Sequence, residues 1–294
     1  MVDPQLISEQ APAKINLYLH VGGLRPDGLH DLASLFVFVD AGDVITVEPR
    51  SRELSFDITG PFSNALSEFD PQSNLVMQAA HTLRKAFSID CGAHLILDKR
   101  LPIASGIGGG SADAAAAIRA LVRLWEIRAS IEQLESLAFS LGADVPACLT
   151  GSSVFVSGAG EKVVRANTLP PLWVAVVNPL VATPTGPVFR SFDRANLNPD
   201  PPVLKKRVGL SGVHAVEEFM AQTKNDLQPI AVVMQPVIAD TLDCLGSEPG
   251  CISVRMSGSG ASVFGLFTSL EAARRAARVC VSKGWWAIAA PILR

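Results

Sequence analysis

Leu101-Pro-Ile-Ala-Ser-Gly-Ile-Gly-Gly-Gly-Ser-Ala-Asp-Ala-Ala-Ala-Ala117 is the most informative stretch of this 294-residue chain. Gly106, Gly108, Gly109 and Gly110 run straight into an alanine-rich segment. Glycine permits positive φ and lets a bulky anion approach the backbone amides. The first turn of a following helix adds N–H groups without helical partners and the positive end of the helix dipole. Together these make a phosphate cradle. The spacing predicts a helix over about Ser111–Trp125, with Ser111 as its N-cap or as a hydroxyl donor to phosphate or Mg²⁺. Asp113 reads as a partner of the helix dipole rather than a catalyst. The competing reading is a plain surface loop.

The loop is not a Walker A motif, because no Gly-Lys-Ser/Thr follows. It is not a dinucleotide fingerprint either, because the third glycine would fall at Ser111.

Outward from the loop, helices alternate with strands. Ile15–Val21 alternates as a strand, and Arg25-Pro-Asp-Gly28 is turn chemistry. Separate strands are predicted at Leu35–Val39, Asp43–Glu48, Leu54–Ile58 and Ala93–Asp98, with a helix over Asn74–Phe87. A helix over Ile131–Leu141 stops at Gly142. Ser153–Ser157 and Trp173–Val177 read as strands, with Thr168-Leu-Pro-Pro171 as a domain joint. Asn196–Val203 reads as a proline-rich loop. Helices follow at Ala215–Gln222 and Ile230–Leu245. The chain then runs strand (Ile252–Met256), glycine turn, strand (Ser262–Phe267), helix (Leu270–Ser282) and strand (Trp286–Ile292). The class is α+β in two halves.

Composition sets the outer limits. Apolar residues make up 48% and charged residues 18%, which is enough for a large core and excludes wholesale disorder. A net charge of -3 argues against a dedicated nucleic-acid binder. The first residues lack the basic and apolar regions of a signal peptide. The longest apolar stretch, Leu172–Val188, is broken by Asn178, Pro179, Pro184 and Pro187, so no membrane span is expected. Five cysteines without Cys-x-x-Cys spacing fit reduced thiols in a cytoplasmic protein. The five histidines show no metal-site spacing, so no metal held by protein ligands alone is expected.

Two further segments complete a pattern. Ala11-Pro-Ala-Lys-Ile-Asn-Leu17 opens the first strand, and Met256-Ser-Gly-Ser-Gly-Ala261 forms a second glycine turn. With the loop, in this order, they resemble the GHMP kinase superfamily. More specific matches are Arg25-Pro-Asp-Gly-Leu-His-Asp-Leu32, Lys99-Arg-Leu-Pro102, Leu141-Gly-Ala-Asp-Val-Pro146 and Asn225-Asp-Leu227. The resemblance runs from about residue 10 to 290. It implies a two-domain kinase, 1–165 with a ribosomal-S5-like fold and 166–294 with a ferredoxin-like fold, and an active site in the cleft between them. The implied reaction is ATP-dependent phosphorylation of the 2-hydroxyl of 4-diphosphocytidyl-2-C-methyl-D-erythritol, in non-mevalonate isoprenoid precursor synthesis. A GHMP kinase for another small alcohol and a catalytically silent nucleotide-binding regulator are the competing readings. The presence of both Lys14 and Asp144 argues against the regulator.

The same resemblance implies roles. Asp144 is the candidate base, with a turn or N-cap aspartate as the alternative. Lys14 would hold that carboxylate ionised and attract the γ-phosphate. Asn16 would orient the substrate hydroxyl or Lys14. Pro102, Ile103, Ala104, Ser105, Gly106, Ile107, Gly108, Gly109, Gly110, Ser111 and Ala112 would wrap the ATP phosphates. Asn74 and Lys99 would lie on the adenosine side, with a helix N-cap and a surface lysine as their plainer readings. Mg²⁺ would ride on the nucleotide. At the cytidine end His30 would hydrogen-bond the base or a substrate hydroxyl, and Phe189 would cover one ring face. Leu29 stands where the family pattern has a tyrosine, so an aromatic stack is replaced by apolar contact. Ser257-Gly-Ser-Gly260 would close the phosphate side, with an ordinary hairpin turn as the alternative, while Asn225 and Asp226 would cap and orient a helix.

Overall fold

The structure is a computed structural model that describes residues 6–166, 169–195 and 210–294. Contacts divide the chain into two compact units that interleave in sequence. The first comprises Met1–Ala13, Gly42–Ile103 and Gly108–Gly151. The second comprises Lys14–Ala41, Ala104–Ile107 and Ser152–Arg294. Two long strands, β1 (Ile7–Leu24) and β2 (His30–Arg50), pair with each other and thread through both.

In the first unit, residues 44–50 of β2 run antiparallel to β4 (Gly92–Asp98), and β4 runs parallel to β3 (Leu54–Thr59). The α-helices described in this unit are α1 (Leu75–Phe87), α2 (Gly109–Leu124), α3 (Ile131–Leu141) and α4 (Val145–Thr150). Helix α1 starts where Asn74 Oδ1 accepts the Val76 N–H, and buries Val76, Met77, Ala79, Ala80 and Leu83. Helix α2 buries a face built mainly of alanine, from Ala112 to Ala120, which lets α1 and α4 pack closely against it. Helix α3 opens with a full capping box between Ser130 and Gln133.

In the second unit, residues 32–36 of β2 pair with β5 (Val154–Gly158), and β5 pairs with β6 (Lys162–Arg165). A separate antiparallel sheet has the order β10 (Trp286–Pro291), β7 (Trp173–Asn178), β9 (Val263–Phe267), β8 (Cys251–Met256). Helices α8 (Val237–Gly246) and α9 (Leu270–Ser282) cover it. The α9 stripe of Ala273, Ala276, Ala277 and Cys280 follows helical spacing, and it joins a core that includes Ala175, Val177, Val263 and Phe267. Helices α5 (Thr185–Ala195), α6 (Val213–Ala221) and α7 (Gln228–Met234) complete this unit. Arg255, on β8, is buried. Its guanidinium donates to the carbonyls of Leu17, Met220 and Thr223, at 2.5, 2.5 and 2.7 Å. Burial pulls its pKa down to about 10. Among the described residues no helix is long and apolar enough to cross a membrane.

The α+β class stands. Several local expectations need correction. Leu35–Val39 and Asp43–Glu48 are parts of one strand, β2. Asp40-Ala-Gly-Asp43 looks like a turn, but a Cβ at Gly42 would fall 2.0 Å from the Ala11 carbonyl oxygen, so glycine here lets β2 pass close to β1. Ile230–Leu245 is two helices. Pro236 separates α7 from α8, and the residue before it, Gln235, is extended at φ -138°. Helix α2 begins at Gly109, so the N-cap position belongs to Gly108 at φ +66° and not to Ser111. Gly142 does end α3, but at φ 165°, an extended conformation open to any residue. The short α4, β6 and the whole of α5 were not foreseen. Thr168 and Asn196–Val203 lie outside the described residues.

Candidate active site

Lys14 lies on β1 and is 4% exposed. Its ammonium donates to Asn16 Oδ1 at 3.0 Å and stands 4.3 Å from the centroid of the Phe36 ring. Residues two apart on a strand share a face, which is why Asn16 can hold Lys14. Asn16 is fixed in turn: its Nδ2 donates to Ser34 Oγ at 3.0 Å, and Ser34 Oγ donates to the Tyr18 carbonyl. The backbone N–H of Asn16 donates to Ser257 Oγ at 3.2 Å. The Ser257 hydroxyl donates to the Gly106 carbonyl at 3.0 Å. A buried polar chain therefore runs from the lysine to the glycine-rich loop within the second unit.

That portion of the loop, Ala104–Ile107, is pinned further. The Lys14 N–H donates to the Ile107 carbonyl at 2.9 Å, and the Ser262 N–H donates to the Ser105 carbonyl at 3.1 Å. Gly106 has φ +75°, and a Cβ there would fall 2.5 Å from the Ser257 carbonyl oxygen. Only glycine satisfies both limits. The Ser257–Gly260 turn thus abuts the loop rather than standing alone as a hairpin turn. Asn225 braces that turn, its Nδ2 donating to the carbonyls of Met256 and Gly258, both at 2.8 Å, while its Oδ1 accepts the Leu227 N–H at 2.9 Å just ahead of the Gln228–Met234 helix.

In the first unit, the loop continues into α2 through Gly108, and no side chain caps the opening N–H groups. Beneath this start sits a buried charge cluster. Lys99 Nζ donates to Asp43 Oδ2 and Asp113 Oδ2, each at 2.6 Å. Asp43 Oδ1 also accepts the N–H groups of Arg100 and Leu101, at 2.5 and 2.8 Å, and so holds the approach to the loop. A Cβ on Gly109 would stand 3.1 Å from Lys99 Nζ. Burial pushes Asp113 up to about 8, with Lys99 pulling the other way and Asp43 adding to the rise. Burial lowers Lys99, but the two carboxylates outweigh it and raise it overall. Lys99 is therefore not a surface lysine, and Asp113 is a buried ion-pair member rather than a helix-dipole partner. Asn74 caps α1, as its plainer reading had it.

Asp144 is the residue before α4, in the first unit, and its carboxylate does not cap that helix. Helix α4 is tied to α2 by Arg119, whose guanidinium donates to the Cys148 carbonyl at 3.2 Å and pairs with Glu9.

His30, Leu29 and Phe189 belong to the second unit. His30 is 9% exposed, and its ring lies 4.9 Å from that of Phe189 on α5, tilted by 37°. Its Nε2 is 2.7 Å from Asp193 Oδ1. Leu29 is 45% exposed. The Arg25–Gly28 turn that presents it is closed by Gly28 N–H to Arg25 O and by Leu29 N–H to Asp27 Oδ1, at 3.0 and 3.1 Å. That backbone bond, foremost, lowers the Asp27 pKa.

Sequence reasoning brought together Lys14 with Asn16 and His30 with Phe189. It missed Ser34, Phe36, Asp43 and Asp193. Asp43 shares β2 with Asp31, Asp40 and Glu48, so its charge did not set it apart. Asp193 carried no signal either, being 163 positions from His30. Among the described residues no group of three or more His, Cys, Asp or Glu is gathered in a way that would hold a metal ion.

Comparison with known proteins gives two family matches. Residues 74–152 match the GHMP kinases N terminal domain, and residues 210–284 match the GHMP kinases C terminal domain. A protein of Cereibacter sphaeroides named 4-diphosphocytidyl-2-C-methyl-D-erythritol kinase is 47% identical over 279 residues, covering 94% of this chain and 95% of its own. One of Paramagnetospirillum magneticum with the same name is 42% identical over 288 residues, covering 97% and 98%. Among solved structures, a 4-(cytidine 5'-diphospho)-2C-methyl-D-erythritol kinase superposes with a TM-score of 0.80 at 32% identity, covering 97% of this chain and 99% of its own. A homoserine kinase from Cytophaga hutchinsonii superposes at 0.72 with 20% identity, covering 100% and 96%, and shares the fold.

Proposed function

The chain belongs to the GHMP kinase family, and from that premise we propose that it phosphorylates the 2-hydroxyl of 4-diphosphocytidyl-2-C-methyl-D-erythritol, in isoprenoid precursor synthesis. Family membership makes it an ATP-dependent kinase of a small molecule. The names carried by relatives that align along nearly their whole length support this substrate. The observation that carries the chemistry is the buried Lys14–Asn16–Ser257–Gly106 chain, which fixes a cation and a glycine-rich loop together.

In the proposed reaction, the substrate hydroxyl oxygen forms a bond to the γ-phosphorus, and the bond from that phosphorus to the β,γ-bridging oxygen breaks, releasing ADP. Asp144 accepts the hydroxyl proton. The Lys14 ammonium neutralises charge growing on the transferred phosphoryl group. Its burial strengthens that effect, since few waters screen it. Gly106, Gly108 and the opening N–H groups of α2 receive the phosphates, from Pro102 to Ala112. Mg²⁺ rides on the nucleotide. Asn74 and the Lys99 segment lie toward the adenosine; because the Lys99 ammonium is held by two carboxylates, its proposed contribution is to shape the loop. Asn16 orients Lys14. His30, Phe189 and Leu29 receive the cytidine. The family domains proposed are 1–165 and 166–294; the matched segments, 74–152 and 210–284, lie one in each, while the compact units interleave and change over last at Gly151/Ser152. Free cysteines and the need for ATP support a cytoplasmic site of action.

The test is ATP-to-ADP turnover with Mg²⁺ on purified protein. The acceptors compared are the cytidyl substrate, the same polyol phosphate without cytidine, homoserine and mevalonate. Turnover confined to the cytidyl substrate is expected. Turnover confined to another alcohol sinks the substrate assignment.

A further inference from the structure

We propose that Asp193 is a positioning residue that sets the tautomer of His30 and so makes the site select cytosine over uracil. The inference rests on the cytidyl substrate proposed above. The contact that motivates it is the 2.7 Å approach of Asp193 Oδ1 to His30 Nε2.

A carboxylate accepts hydrogen bonds and, when ionised, cannot donate one. Opposite a neutral imidazole it therefore selects the form with the proton on Nε2. The other ring nitrogen, Nδ1, is then left as an acceptor. Cytosine carries an amino donor at C4, whereas uracil carries a carbonyl acceptor there. An Nδ1 acceptor pairs with the first and opposes the second. Discrimination of this kind is strong because a mismatched buried polar group is left unpaired.

The surroundings hold this arrangement in place. The His30 ring is packed against Phe189, one turn before Asp193 on the same helix, α5. Residues four apart on a helix face the same way, so α5 supplies both the ring contact and the carboxylate. The His30 side chain is 8% exposed and that of Asp193 is 36% exposed. The histidine is thus buried, while its partner stays anchored at the edge. With Leu29 in place of an aromatic residue, one ring face lacks stacking, and recognition leans more heavily on the hydrogen-bonding edge.

The experiment uses the full chain with Asp193→Ala and Asp193→Asn. Two readouts are taken. The first is the ¹H–¹⁵N spectrum of the imidazole nitrogens at neutral pH, with His30 assigned by comparison with His30→Gln. The second is kcat and KM for the cytidyl substrate and for its uridyl analogue. In the unsubstituted protein the His30 signals should report the Nε2–H form. In Asp193→Ala they should move to a mixture of forms. KM for the cytidyl substrate should rise about tenfold, the size of one charged hydrogen bond, with kcat within about threefold. The preference for cytidyl over uridyl substrate should fall by a similar factor. Asp193→Asn, which keeps an acceptor oxygen, should recover part of the tautomer bias and part of the preference.

An unchanged tautomer, or an unchanged cytidyl-to-uridyl preference, overturns the proposal. Equal loss of kcat and of affinity for both substrates, with a lowered Tm, also overturns it, since that is the mark of a residue that only supports the fold. If the unsubstituted protein turns over no cytidyl substrate, the functional reading fails, while the spectrum still reports whether Asp193 sets the histidine.

Discussion

Lys99 Nζ and Asp113 Oδ2 stand 2.6 Å apart, each in a side chain that is 4% exposed. The second carboxylate of this cluster, Asp43, is fully buried. Burial, with the neighbouring Asp43 carboxylate adding to it, pushes Asp113 up to about 8 against the opposing pull of Lys99.

A pH dependence follows. In the unfolded chain Asp113 returns to its ordinary value of 3.8. Between 3.8 and about 8 the folded state therefore binds a proton that the unfolded state releases. Stability from this group falls as pH rises through that window. Asp113→Asn removes the titration while keeping the shape. The Tm of the variant, relative to the unsubstituted protein, should rise steadily from pH 5 to pH 8. A constant difference across that range would refute the assignment.

Lys14→Met should cut kcat by about 100- to 1,000-fold, the cost of removing one preorganised charge. The Phe36 ring and the Asn16 amide remain, so circular dichroism should be unchanged. Stopped-flow measurement of the transfer step separates this from slow product release.

Asp144→Asn should lower kcat by about 100- to 10,000-fold, the range for a lost general base, with KM for the alcohol little changed. Asparagine keeps the size of the side chain and one acceptor oxygen, so Tm should stay close to that of the unsubstituted protein. A Tm fall of the size seen on losing a helix cap would instead show a structural aspartate.

Two neighbouring glycines should respond in opposite ways. At Gly106 a Cβ meets backbone oxygens at 2.5 and 2.7 Å, and φ is +75°. Gly106→Ala should destabilise the protein by about 1–3 kcal/mol in urea denaturation. At Gly110 the nearest atom is Leu75 Cδ1 at 3.7 Å, and the residue lies inside α2. Gly110→Ala should leave stability unchanged or raise it by up to about 1 kcal/mol.

Arg255→Lys should cost about 2–4 kcal/mol in the same assay. An ammonium cannot reproduce a planar fork that bonds three carbonyls on two segments, β1 and the end of α6, and those carbonyls are left short of donors.

Much of the fold was legible because the signals were local. Helix α1 announced itself by Asn74 and by apolar residues at helical spacing, and α9 by Ser269 and an alanine stripe. The reading failed where a distant contact overruled a local cue. Asp40–Asp43 looks like a turn until the backbone of Ala11 is known to lie against Gly42. Helix α5 begins in Thr185-Gly-Pro, residues that normally interrupt a helix. The site divides in the same way. Lys14 and Asn16 are two positions apart and could be paired on paper. Ser257 is 241 positions from Asn16, and no periodicity joins them.

That last separation also bears on how the protein is made. Chains emerge from the ribosome at about 5–20 residues per second. Every segment of the first unit has been synthesised by residue 151, whereas the second unit needs Lys14–Ala41 together with the chain from Ser152 to Arg294. The backbone N–H of Asn16 therefore waits for its Ser257 partner until the final quarter of the polypeptide appears.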